Sequence, residues 1–350
     1  MKKFRTVPAT ILLFVAFFLL ITGNIPKYFP IIMMVLSLIS YLLLSRGSMY
    51  FAKANKIMQS GVKDSIEKAR PYFEKAYKAG VPDNYLMYIG ILMVQYYDYE
   101  EGGKILKGLI NSRNSKIAFQ AKNSLSMYYW IKRDIKSAIE ATESAKEMKM
   151  KDRNIYINLC TYYLADNDVR KFKLTLKEAY KNKLESPALL DLEAIMQILD
   201  DNYLRAGGFL KSLFEIKTPQ FIDPYLHYAM IYMHYGEAEK AIKVLNDGLE
   251  NAFFSNTSVV SKAEVERIIK ALQNLKARDR FIKDVEEHKL EAINGKFPTE
   301  TEEEINKEYP ELPEFISESV KDEDIDEKDE GDIDTSINED DEKWLLKHQN

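Results

Sequence analysis

The sequence predicts an all-α protein: an α-solenoid of about five to six helix pairs, preceded by a two-helix transmembrane hairpin and followed by a disordered acidic tail. Three observations carry this reading. Two charge-free apolar runs open the chain, small residues recur at steps of 33 to 36 residues through its middle, and acid crowds its end.

The chain of 350 residues has room for two or three domains, and 46% hydrophobic residues suffices for a core. The single cysteine, Cys160, excludes an intramolecular disulfide framework and fits a reducing compartment. The net charge of −5 conceals a segregation. Residues 1–299 carry 44 basic and 33 acidic side chains, whereas residues 300–343 carry 4 Lys against 21 Asp and Glu. A basic body therefore bears an acidic tail.

Residues 1–46 read as the hairpin, with spans over about 7–23 ("VPATILLFVAFFLLITG") and 28–44 ("YFPIIMMVLSLISYLLL"). Each is near the short end of what crosses a bilayer core as a helix. Pro8 and Pro30 fall in first turns, where a missing N–H costs little. Lys2, Lys3 and Arg5 precede the first span and Arg46, Lys53 and Lys56 follow the second, against Lys27 alone between them. The positive-inside rule then places both termini in the cytoplasm. A cleaved signal peptide would also begin with basic and apolar residues, but no small-x-small cleavage site follows and a second span comes at once.

Residues 47–294 are governed by repetition. Ala241, Leu245 and Gly248 share a spacing with Ala69/Phe73/Ala76, Gly102/Leu106/Leu109, Ala138/Thr142/Ala145, Phe172/Leu176/Ala179 and Ala206/Leu210/Leu213. Twelve residues before each leading member stands a small residue: Gly90, Ser126, Cys160, Ala194 and Ala229, with Ile57 breaking the pattern in the first copy. Three residues further come Tyr129, Tyr163 or Tyr232, with Met93 and Gln197 in the other two copies. This pattern resembles the tetratricopeptide repeat over about residues 50–252, with the first copy degenerate and Pro187–Gln220 weak. The physics agrees: small residues let paired helices approach closely, and aromatic and leucine side chains fill the space between pairs. Gly90, Gly102, Ser126, Ala138, Cys160, Ala179, Ala194, Ala206, Ala229 and Ala241 are the expected packing positions. Ser261–Ile293, helical and highly charged, reads as the capping end.

The resemblance implies that the first helices of successive pairs line a concave ligand face. Register then assigns Asn84, Met87, Ile91 and Gln95 to it, followed by Gln120, Asn123, Met127 and Trp130. Asn154, Ile157 and Thr161 come next, then Asp191 and Ile195, and last Leu226, Met230 and His234. This face carries no Lys or Arg. Family members that bind acidic chaperone C-termini use a basic, Asn-rich clamp there, so that role is not expected. Met, Ile, Leu and Trp with scattered amides suit an apolar or amphipathic helix of a protein or peptide partner.

No catalytic pattern competes. The four histidines His227, His234, His288 and His348 lack metal-ligand spacing, and neither "EEGGKILKG" nor "RAGGFLKS" has the phosphate-loop spacing. Cys160 holds a packing position. No enzyme activity, metal or cofactor is expected. Lysines crowd the second helices, in "WIKRDIK" and "VRKFKLTLKEAYKNK", where they face outward toward anionic headgroups or the acidic tail. Nucleic acid is not expected, since the tail competes for the same charges. Residues 295–350 are too acidic and too poor in apolar residues to fold, ending in the small cluster Trp344–Leu346. The expectation is a non-catalytic scaffold at the cytoplasmic face of a membrane. The alternative is an assembly or chaperone-like factor holding apolar segments of membrane or envelope proteins.

Overall fold

The computed structural model describes residues 7–22, 26, 28–60, 64–275 and 277–298. Among these residues there are sixteen α-helices and no strand. They fall into two compact units that divide after Met150.

The first unit opens with α1 (Val7–Thr22) and α2 (Tyr28–Met58). They pack through small residues, with Ala9, Ala16 and Ser37 buried and the Ser37 hydroxyl donating to the Ala9 carbonyl. Their large apolar side chains, among them Phe14, Phe18, Ile32, Leu36 and Leu43, point outward. Small residues inside and bulky apolar ones outside is the arrangement of helices that pack in lipid. Of the described helices, α2 alone is long and apolar enough to cross a membrane. The 16-residue α1 falls short of the roughly 20 residues that a span needs.

The hairpin boundary expected at residue 46 lies inside one helix. α2 continues past Leu44 because its next turns find a core: Phe51 stacks on Tyr85 at 4.2 Å and 8°, and Ala54 is fully buried. A Cβ on Gly47 would lie 2.3 Å from the Gly80 carbonyl oxygen, so only glycine allows α2 this close to the chain at the end of α3 (Ser65–Ala79). The rest of the unit is α4 (Asp83–Tyr96) paired with α5 (Tyr99–Lys107), then α6 (Ser115–Ile131) paired with α7 (Ile135–Lys146).

The second unit contains three further pairs: α8 (Arg153–Ala165) with α9 (Val169–Lys181), α10 (Pro187–Leu199) with α11 (Tyr203–Ile216), and α12 (Asp223–His234) with α13 (Ala238–Asn251). α14 (Lys262–Gln273), α15 (Arg278–Glu287) and α16 (Lys289–Ile293) close it.

The expected packing positions are interior. All ten small residues assigned to them are buried, and the triads from Ala69 to Gly248 supply much of the core. Glycine is required where pairs are tightest: a Cβ on Gly102 would lie 2.7 Å from the Val94 nitrogen and 2.8 Å from the Gly90 oxygen. The turns repeat as well. Arg133, Asn167, Asp201 and Gly236 all have positive φ near 59° to 74°. The next residue's N–H donates back to Tyr129, Tyr163, Gln197 or Tyr232 at 2.8–3.0 Å. This is a Schellman closure, made four times on the position that recurs three residues after the small one. Asp98, Asp134 and Asp168 then cap the second helices, each worth about 1 kcal/mol.

The ordered chain also extends beyond the expected end at residue 294. Gly295 adopts φ 77° against the Val259 carbonyl, and Phe297 is buried beside Phe281. The acidic tail and Trp344–Leu346 lie outside the described residues.

Candidate partner-binding face

In the first unit the face predicted from register comes together. α4 and α6 pack side by side, and Gln95 Nε2 reaches Met127 Sδ at 3.6 Å. Asn84 is exposed, and Ile91, Gln95, Gln120 and Met127 are half-buried. Met87, Asn123 and Trp130 are buried instead, so they support the face from beneath. Their burial follows from the helical period: with neighbours on two sides, an inward-facing stripe is wider than the strip left to solvent. The exposed part carries no formal charge, which leaves Ile91 and Met127 among three amide groups, Asn84, Gln95 and Gln120, able to orient a ligand.

In the second unit the corresponding face is closed over α10 and α12. Asn154 is exposed and Ile157 and Thr161 are half-buried, but Asp191, Ile195, Leu226 and Met230 are interior. The chain's own C-terminal helices lie over them, α15 against α12 and α16 against α10. The expected ligand-facing role of Leu226 and Met230 is therefore corrected: both are core. His234 is the exposed member, stacked on Tyr203 at 3.5 Å and 6°, with Nδ1 3.5 Å from Glu286.

The closure is polar as well as apolar. Asn294 Nδ2 donates to the buried Leu164 carbonyl at 3.0 Å, tying the end of α16 to the end of α8. The Tyr203 hydroxyl donates to Glu286, and Lys289 pairs with Asp201. Burial, reinforced by that Glu286 bond, raises the Tyr203 hydroxyl well above its ordinary value.

Beneath α16 sits a buried ion pair, His227 Nδ1 to Asp191 Oδ1 at 2.7 Å, with side chains 2% and 6% exposed. Burial alone would depress the imidazole. The Asp191 charge and hydrogen bond, the Asp223 carboxylate and the Ile293 carbonyl together outweigh it and hold His227 above its ordinary 6.5. Nε2 makes no hydrogen bond. Desolvation, and then repulsion from Asp191, raise Asp223 to about 6. The register places Asp191 on the open face, and His227 carries no assigned partner from the sequence. Their pairing across α10 and α12 has no local sequence signal, because the residues lie 36 positions apart.

Among the described residues no group of three or more metal-ligand side chains forms. Cys160 is fully buried, its Sγ 3.9 Å from the Phe172 carbonyl. Compared with known families and curated proteins, the chain matches no family model and no curated sequence.

Proposed function

We propose that the chain is a membrane-anchored scaffold of tetratricopeptide-like helix pairs. It recruits a partner protein at the cytoplasmic face, without catalysis, by binding an apolar or amphipathic helix. The observation that carries this reading is α2. Its first half presents bulky apolar side chains outward and its second half is core to the pair against which α4 packs, so anchor and interaction body are one helix. The recurring small residues and four identical turn closures support the repeat assignment. In this reading α1 completes a hairpin with α2, and both termini are cytoplasmic because basic residues flank the hairpin's outer ends.

The receptive surface is the strip of α4 and α6 bounded by Asn84, Ile91, Gln95, Gln120 and Met127. A photo-crosslinking residue at Gln95 or Met127, installed in cells, should capture one protein in stoichiometric yield through an apolar helical segment. The same residue at Lys104, exposed on α5, should capture none of it. Equal capture at Lys104 would refute the assignment. Many substoichiometric products at Gln95 would instead identify a factor that holds client segments. An externally active reporter fused after Asn350 would refute the topology.

A further inference from the structure

The second helices are not alike in charge. α9 carries five basic residues against one acid, whereas α7, α11 and α13 mix the two signs. The acid of α9, Glu178, accepts from the Tyr156 hydroxyl at 3.3 Å. Lys171 is paired with Asp168, and Lys173 with Asp200. Arg170, Lys177, Lys181 and Lys183 are exposed or half-exposed and form no salt bridge among the described residues. Arg170, Leu174, Lys177 and Lys181 follow one another at helical spacing of three and four, so they make one stripe. Leu174, in its middle, is 57% exposed.

The same unit fixes where the acidic tail departs. Asn294 holds the chain to the Leu164 carbonyl, and Arg267 donates to the Pro298 carbonyl at the last described position. Arg170 lies six residues after Leu164, and Pro298 four after Asn294. These segments span at most about 22 and 14 Å, so the tail leaves within roughly 40 Å of the stripe. About fifty residues follow Pro298. The reach of a chain of that length is at most about 170 Å, so the acidic run can span that distance.

We propose that the α9 stripe is the docking surface for the chain's own acidic segment, residues 322–342. That segment carries 13 Asp and Glu against Lys328 alone. Opposite charge steers the encounter, and covalent attachment gives an effective concentration on the order of millimolar. The tail is covalently tied to this unit, which favours it over headgroups as occupant. The stripe's cations are thereby reserved from anionic competitors. This inference does not depend on the scaffold reading.

The test is zero-length carbodiimide cross-linking of the full chain in phosphatidylcholine nanodiscs, read by mass spectrometry. Links from tail carboxylates should concentrate on Lys177, Lys181 and Lys183 and disappear in high salt. Arg170→Glu/Lys177→Glu/Lys181→Glu changes solvent-facing side chains and should keep the helical circular dichroism. It should cut the links at the untouched Lys183 roughly tenfold. Links spread evenly over Lys211, Lys240 and Lys243 would overturn the proposal. So would their loss in phosphatidylglycerol nanodiscs with protection of the α9 lysines, which would make headgroups the preferred partner.

Discussion

The two units build one motif to opposite ends. In the first, α4 and α6 leave a charge-free strip at the surface, joined across the helices by Gln95 and Met127. In the second, α10 and α12 are covered by α15 and α16, and the covering is fastened by Asn294, Tyr203 and Lys289. The same kind of helix pairing thus has two outcomes: in one unit the strip stays at the surface, and in the other it is filled by the chain's own helices and becomes an interior. In the covered version the occupant is a short helix with Ala292 and Ile293 buried and an amide anchoring its end.

The comparison breaks most sharply at the ion pair under α16. Asp191→Ala leaves His227 charged or unpaired in a buried site, and should lower the stability of the second unit by about 3–5 kcal/mol. Hydrogen exchange should localise the loss to α10, α12 and α16 while the first unit keeps its protection. An equal loss in both units would mean that the closure is not local. Ala229→Leu, at a fully buried position, should cost about 1–3 kcal/mol by overpacking, whereas Gln95→Leu on the open strip should change stability by under about 0.5 kcal/mol. Chemical denaturation of the two variants measures both.

pH sharpens the contrast further. His227 and Asp223 are both raised in the folded state, so each contributes stability at low pH that is lost as pH rises through its folded value. For Asp223 the loss runs from 3.8 to about 6, and for His227 it begins near 6.5 and continues upward. The second unit should accordingly open more readily at pH 8 than at pH 6, read by hydrogen exchange corrected for intrinsic rates. His227→Gln should flatten the upper part of that profile, and a profile identical to the parent's would remove His227 as its cause. A further small effect belongs to a turn. Lys149 holds φ 55°, which glycine adopts without strain, so Lys149→Gly should stabilise by about 0.5 kcal/mol in thermal unfolding.

The helices and packing positions were legible because burial imposes period. A small residue every 33 to 36 positions can be read without knowing what it touches, and Ala69 through Gly248 are buried in consequence. The turn closures were half legible. Gly236 marks its own left-handed position, but Arg133 and Asp201 occupy the same conformation against their preference, held by the helices on either side. The closed face was not legible. Leu226 and Met230 have the register of an open surface, and only long-range contacts from α15 and α16 make them interior. The continuation of α2 was hidden for a related reason: apolar character fades after Leu44, yet Phe51 and Ala54 find a core that hydropathy does not report.

That continuation has a mechanical consequence. A helix of 31 residues is about 46 Å long, and a bilayer core takes up about 30 Å of it. With the apolar part of α2 in a membrane, about ten residues remain, and these include Phe51 and Ala54, which clamp them to the body. No swivel separates the two parts. In the scaffold reading proposed above, the strip would be carried like a key on its shaft, at a fixed height and compass bearing, and a tilt or rotation of the shaft would turn the strip by the same angle. A partner that also sat in the membrane would then sense that bearing, and the lipid bilayer would take part in selecting it.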